Sequence, residues 1–168
     1  MSSLPLMSGM TSFQKDDDYE TTEAIWECII PFVPFDKIIY EPFYCSGRSK
    51  EILNGIGYDN VIHEDEDFFL NHQRHTYDIV ISNPPFSKKK KVFDMLREID
   101  KPFIMISPVS ILTKQFFMDK YKGEDISILI PKRRMQFSKK NQVSGRCWFD
   151  CIFVCYKLGL NKEIIFLD

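Results

Sequence analysis

No uncharged apolar run in the sequence approaches 18 residues, so no membrane-spanning helix is expected. The opening stretch, MSSLPLMSGMTSFQKDDDYE, has no basic region followed by an apolar core and does not read as a secretory signal. None of the five cysteines belongs to a CxxC pair, and an odd number without an export signal fits a reducing, intracellular compartment. Internal repeats are absent, and so is any linker long enough to divide the chain. What is present is 168 residues, 44% hydrophobic and 14% aromatic. That is enough to bury one core, and it excludes a disordered chain, a collagen-like chain and a small disulfide scaffold.

The net charge of −2 conceals an asymmetry. Residues 1–84 carry 5 Lys and Arg against 15 Asp and Glu, and residues 85–168 carry 17 against 9. An acidic half suits a cationic ligand and a basic half suits phosphates.

Residues 1–18 show no periodicity and are expected to form a flexible arm, leaving residues 19–168 as a single domain. A helix is expected over about 22–30, ended by Pro31 and Pro34. Residues 37–40 read as a buried strand that leads into Glu41-Pro42 and a turn at Ser46-Gly47. Residues 48–54 read as a helix, and 60–63 as a weak strand before the acidic run Glu64-Asp65-Glu66-Asp67. The strongest strand signal is YDIVIS, residues 77–82, which stops at Asn83-Pro84-Pro85-Phe86. Then follow a helix over 88–99, a strand over 103–106, a helix over 109–120 and a strand over 126–130. A basic, aperiodic stretch, 132–146, precedes two last strands at 147–156 and 163–167. This alternation predicts an α/β domain with a mostly parallel sheet covered by helices on both faces. The last two strands have no helix between them and are expected to form an antiparallel pair at one edge. Ligands bind such sheets at the carboxyl ends of the strands. Glu41-Pro42 with Gly47, Asn83 to Phe86, and Ser107-Pro108 should therefore converge on one site.

Asn83-Pro84-Pro85-Phe86 carries the most chemistry. Two successive prolines fix φ and remove two N–H groups, and Asn83 adds a side-chain acceptor and an NH2 donor. Rigid acceptors beside the flat ring of Phe86 suit a planar ligand with an NH2 group. If both amino hydrogens are held, the nitrogen lone pair is turned toward an electrophile.

At these residues the chain resembles the S-adenosylmethionine-dependent amino methyltransferases, especially the DNA adenine-N6 methyltransferases, and among them the small phage and viral members. The resemblance implies a Rossmann-like methyltransferase domain without a separate target-recognition domain. It implies that Asn83 and the Pro84 carbonyl bind the target amino group, that Pro85 shapes the same motif, and that Phe86 stacks on a flipped base. Upstream, Tyr40-Glu41-Pro42-Phe43-Tyr44-Cys45-Ser46-Gly47 is similar to the family's cofactor loop, with Gly47 the one family glycine retained. Glu41, Pro42, Phe43 and Gly47 are thereby implied in holding S-adenosyl-L-methionine. Tyr19-Glu20-Thr21-Thr22 resembles the element that closes over the cofactor, which implicates Tyr19, Thr21 and Thr22; a helix N-cap by either threonine is the plainer reading, and both can hold. Asp67-Phe68 looks like the family's adenine-holding motif, and Asp65 or Glu64 would hold the ribose.

Other residues are expected to have no functional part. Cys147, Cys151 and Cys155 would lie on one strand face, each roughly 13 Å from the next, too far for joint zinc ligation. His63, His72 and His75 are expected to be solvated, and no metal is expected. Lys88 and Lys89 open a run of four lysines at a helix start, where cations oppose the dipole. With Lys132, Arg133, Arg134, Lys139, Lys140 and Arg146 they form the expected nucleic-acid groove. The expected activity is thus site-specific adenine-N6 methylation of DNA by a protein without a membrane anchor. RNA adenine methylation, protein glutamine-N5 methylation and a degenerate binding subunit stand as alternatives. Specificity would come from the basic loop, the N-terminal arm, a homodimer or a partner subunit.

Overall fold

Several segments are apolar at nearly every position, and each becomes a strand buried on both faces. The computed structural model describes residues 19–139, 142–145 and 150–168. In chain order its elements are β1 (Tyr19–Glu20), α1 (Glu23–Glu27), β2 (Ile39–Tyr40), α2 (Arg48–Gly55), β3 (Val61–Ile62), α3 (Phe68–Asn71), β4 (Ile79–Ser82), α4 (Lys89–Ile99), β5 (Phe103–Pro108), α5 (Gln115–Tyr121), β6 (Ile126–Ile130), β7 (Phe137–Lys139), β8 (Gln142–Gly145), β9 (Cys151–Tyr156) and β10 (Ile164–Phe166). The N-terminal arm, Lys140, Arg146 and Cys147 lie outside the described residues. Among the described residues, no helix is long and apolar enough to cross a membrane.

Seven strands form one mixed, mostly parallel sheet in the order β10-β6-β9-β5-β4-β2-β3. Only β9 runs antiparallel, and it does so against both its neighbours, β5 and β6. This corrects the expected antiparallel edge pair. β9 and β10 do run in opposite directions, but β6 lies between them, and β10 pairs with β6 in parallel. Burial explains the placement. Every residue of β9 is buried, so it needs a neighbour on each side, whereas in β10 Ile164 and Phe166 are exposed, as an edge permits. The connection from β9 to β10 spans two strand spacings, about 10 Å. Asp125 secures it: its carbonyl accepts the Lys157 N–H (3.0 Å) and its carboxylate the Gly159 N–H (3.1 Å).

The two sheet faces carry different helices. On one, Ile25, Trp26 and Ile29 from the α1 region and Leu53 of α2 pack over Ile39, Ile79, Ile81 and Ile104. On the other, Val92, Phe93 and Leu96 of α4 and Phe117 and Tyr121 of α5 pack over Tyr40, Val80, Phe103 and Met105. Phe93 is the hub of that second layer, meeting Phe103, Phe117 and Tyr121 edge-on with centroids 5.5–6.0 Å apart. Helix α1 is shorter than its periodicity predicts. Beyond Glu27 the chain continues as i→i+3 turns through Ile30 and reaches Pro31, which has no N–H to extend the helix.

Within the 132–146 stretch, expected to be irregular, β7 and β8 pair antiparallel. β7 also pairs with β1 in this small separate sheet, Tyr19 opposite Lys139 and Glu20 opposite Ser138. The start of the domain is thereby tied to the basic loop.

The topology itself points to a crevice. From β2 the chain passes through α2 on one face to β3 on one side of β2. From β4, which lies on the other side of β2, it passes through α4 on the opposite face. The strand order thus reverses between β2 and β4, and a ligand crevice opens at the carboxyl ends of such a strand pair. Those ends are Glu41 and Asn83.

Candidate functional site

Parallel pairing sets Ile39 beside Ile79 and Tyr40 beside Val80, so both strands end on the same rim, with β4 running two residues past the end of β2. The cleft beyond them is lined by Tyr19, Glu20, Thr21, Glu41, Phe43 and Asn83, with residues 44–46, Arg48 and Ser49. It therefore gathers β1 with Thr21, the loop after β2 and the first residue of the Asn-Pro-Pro-Phe motif.

Glu41 is the floor of this cleft. It is buried, and its Oε1 accepts from the Ser82 hydroxyl and from the Phe43 N–H (3.0 Å); the Ser49 hydroxyl also bonds to the carboxyl group. Burial outweighs these bonds and pushes its pKa up to about 8. Glu41 is therefore mostly neutral at pH 7 and would become ionised beside a cation. On the other side of its backbone, His63 Nδ1–H donates to the Glu41 carbonyl (2.8 Å). A carbonyl can only accept, so Nδ1 carries the proton.

His63 was expected to be solvated. Instead it is 5% exposed, with its Nε2 lacking a hydrogen-bond partner, and burial lowers its pKa, so the ring is neutral. Tyr44 stacks on it at 5.0 Å and 30°. The sequence signal was position: His63 directly follows β3 as Glu41 directly follows β2. His75 is not solvated either. Its side chain is 14% exposed and bonds Glu66, which also accepts from the Tyr40 hydroxyl (3.3 Å). Glu64, Glu66 and His75 bring potential ligand atoms within 4.8 Å of one another. The bonds to His75 and Tyr40 already use Glu66, and no other observation marks a bound ion there.

Gly47 takes φ +81° at the start of α2, and its N–H closes a turn on the Tyr44 carbonyl (2.7 Å). A Cβ there would come within 2.7 Å of the Tyr44 hydroxyl oxygen. The left-handed backbone thus favours glycine, and the end of the Tyr44 side chain lies against it. Arg48 pairs with Glu20 (3.2 Å), joining the loop to β1, although Arg48 is largely exposed and such a pair is worth at most about 1 kcal/mol.

At the end of β4, Asn83 Oδ1 is buried and has no hydrogen-bond partner. Pro84 is buried and Pro85 half-buried. The Pro85 carbonyl accepts the Lys88 N–H (3.0 Å), starting the turn into α4. Phe86 is half-buried at the edge of the α1-side core. Immediately beyond, Lys90 is paired with Asp94 (2.6 Å) and Lys91 sits 4.0 Å over the Phe69 ring. Lys88 and Lys89 make no ion pair among the described residues, and burial followed by Lys114 lowers the Lys89 pKa.

The other sequence candidates fall elsewhere. Pro42 is buried beside Glu41. Thr22 occupies the N-cap position of α1, but its hydroxyl goes to the Gln136 carbonyl (3.4 Å) rather than to a helix N–H. Asp67 caps α3 through the Phe69 N–H (2.8 Å), and Phe68 is buried against Tyr40 and Phe43. Neither lines the cleft, nor does exposed Asp65. Ser107 is buried and its hydroxyl turns onto the Pro108 carbonyl (3.2 Å), so that strand end does not join the cleft.

Lys132, Arg133 and Arg134 are exposed beyond the carboxyl end of β6 and line a second, apolar-floored groove with Ile25, Cys28 and Met135. They share the carboxyl rim of the sheet with Asn83, about 14 Å along it by strand spacing. Among the described residues, Arg134 is the one of the three in an ion pair, with Asp150 at 3.0 Å. Lys139 ends β7.

No family model matches the chain, and no curated protein matches its sequence.

Proposed function

We propose that the chain is an S-adenosylmethionine-dependent methyltransferase acting on the N6 amino group of adenine in DNA. Asn83 Oδ1 carries the reading. A buried acceptor left without a donor costs on the order of 1–3 kcal/mol. This one stands at the strand-order reversal, beside a Pro-Pro segment that cannot supply an N–H. A ligand NH2 group supplies the missing donor.

The cleft residues suit the cofactor, whose ammonium finds a buried, ionisable carboxyl in Glu41 and whose methionine part would lie along residues 43–46 and Thr21. The cofactor contributes an electrophilic methyl group. The chain's own residues prepare the acceptor. Asn83 Oδ1 and the Pro84 carbonyl take the two amino hydrogens, which draws the nitrogen lone pair out of conjugation with the ring, and Phe86 stacks on the base. An adenine reaches such a site only when flipped out of its duplex. Lys88 and Lys89, following Phe86, and Lys132 to Arg134 on the same rim suit the flanking phosphates. A second reading, a methyltransferase-like fold that binds without turnover, is favoured by one observation: the Tyr44 ring occupies the space in front of Gly47.

Cofactor binding separates the first reading from an unrelated α/β domain. Calorimetric titration with S-adenosylmethionine at pH 7 should show binding with release of close to one proton. With a pKa of about 8, Glu41 is roughly nine-tenths protonated there, and a bound ammonium favours its ionised form. Repeating the titration in buffers of different ionisation heat counts the proton. No heat at millimolar cofactor overturns the cofactor assignment, and binding without proton release removes Glu41 from the ammonium.

The basic rim makes a separate prediction. Replacing Lys132, Arg133 and Arg134 together with Ala should weaken DNA binding and lower the log–log salt slope by about 0.9 for each phosphate that the variant no longer neutralises. An unchanged slope in the triple variant places the DNA elsewhere.

A further inference from the structure

β10 is an open edge whose sequence is complementary to itself. Among the described residues it pairs only with β6. Glu163 C=O and Leu167 N–H both bond inward, to Ile128 N–H (2.7 Å) and Ile130 C=O (2.8 Å). Strand groups alternate in direction, so Ile164 and Phe166 turn their N–H and C=O groups outward. Their side chains are also uncovered, Ile164 56% and Phe166 74% exposed. A flat apolar edge of this kind is a template for another strand, and proteins usually blunt it with charge, proline or a covering element.

The flanking residues say which strand fits. In an antiparallel pairing of two copies centred on Ile165, Ile164 faces the second copy's Phe166, and each exchanges N–H···O=C bonds with its opposite. The same register sets Lys162 opposite the second copy's Asp168, at both ends of the pair. The charges thus bracket an apolar centre of two isoleucines and two phenylalanines, and directly opposed unlike charges in a sheet are favourable. A parallel pairing in register would set Lys162 against Lys162 and Asp168 against Asp168. We propose that β10 is a homodimerisation edge, joining two copies of this chain antiparallel about a two-fold axis through Ile165 into one continuous sheet. Such an interface is isologous. A three-residue strand is short, so the dimer is of the weak, concentration-dependent kind. This inference is independent of the catalytic reading.

The test is sedimentation of the chain from about 1 µM to a few hundred µM, a range that covers weak interfaces. The 19.9 kDa chain should shift toward about twice that mass as concentration rises. Lys162→Asp should weaken the dimer at least tenfold, and Lys162→Asp with Asp168→Lys should restore it. Ile164→Pro should also weaken it. That change removes an outward donor and leaves the inward ladder to β6 intact, and circular dichroism reports whether the fold survives it. Should Ile164→Pro unfold, the exposed charge pair still decides. A chain that remains monomeric throughout, including one whose edge takes only a strand from another protein, overturns the proposal. So does a dimer that both the single and the double charge variant leave unchanged.

Discussion

Asn83→Ala is expected to lower methyl transfer by about 10²-fold or more while leaving the protein at least as stable as before. The two halves of this result share one cause. Oδ1 is buried without a donor, so its removal takes away an unsatisfied group rather than a stabilising bond. On the proposed reading its hydrogen bond is made only with the acceptor amino group, and removing one preorganised polar group of that kind costs about 2.7–4 kcal/mol in the transition state. A group that acts mainly there lowers the turnover rate with little change in cofactor affinity. Thermal unfolding, cofactor titration and single-turnover kinetics on the same variant check all three. Asn83→Asp is the companion, because it keeps an acceptor oxygen and should retain part of the rate. A destabilised Asn83→Ala protein with near-normal turnover would make Asn83 a structural strand terminator and nothing more.

Glu41→Gln should remove a large part of the pH dependence of stability between about pH 4.5 and pH 8. Glu41 has its folded pKa raised to about 8 by burial, against an ordinary value of 4.5. Below pH 4.5 both the folded and unfolded chains hold the proton and nothing is lost. Between the two values the unfolded chain releases it while the folded chain keeps it, so stability falls as pH rises. Above pH 8 the loss levels off, on the order of 5 kcal/mol for a shift of this size. Glutamine keeps an acceptor for the Phe43 N–H and does not titrate. The variant should therefore gain on the wild type steadily from pH 5 to pH 8 in denaturant unfolding. His63 works in the opposite sense. Its folded pKa is lowered, so stability is lost as pH falls below about 6.5. The difference between variant and wild type isolates Glu41 from that trend. A constant difference across the range would mean that Glu41 is ionised in the folded protein. The same substitution should weaken cofactor binding and abolish the proton released with it.

The elements that order the sheet were legible because their patterns are local. YDIVIS is apolar over a strand's length and stops at a Pro-Pro pair, and the Val92, Phe93, Leu96 spacing fixes the buried face of α4. The position of β9 was also written in the sequence, in CIFVCY, which offers no polar face to solvent, whereas IIF in β10 is flanked by Lys162, Glu163 and Asp168. Reading those two as a hairpin gave adjacency in sequence more weight than burial. The pairing of β7 with β8 and with β1 was not legible. Tyr19 and Lys139 are far apart in the chain, and the residues of β7 and β8 are too polar to show a period.

The site divided in the same way. Asn83 and Glu41 were found because unusual residues stand at strand ends. His63 and Tyr44 were missed because a lone histidine beside an acidic run looks solvated until β3 turns it beneath the Glu41 loop. Asp67-Phe68 carried a family likeness, but locally it is a helix cap and a core phenylalanine.

Transfer of labelled methyl from S-adenosylmethionine, offered in parallel to DNA, RNA and a glutamine-bearing protein, decides the central assignment. Label in DNA that is recovered as N6-methyladenine after hydrolysis, and that is lost in Asn83→Ala, is the expected result. Label recovered only from the protein, or from none of the three under conditions where the cofactor binds, would contradict it.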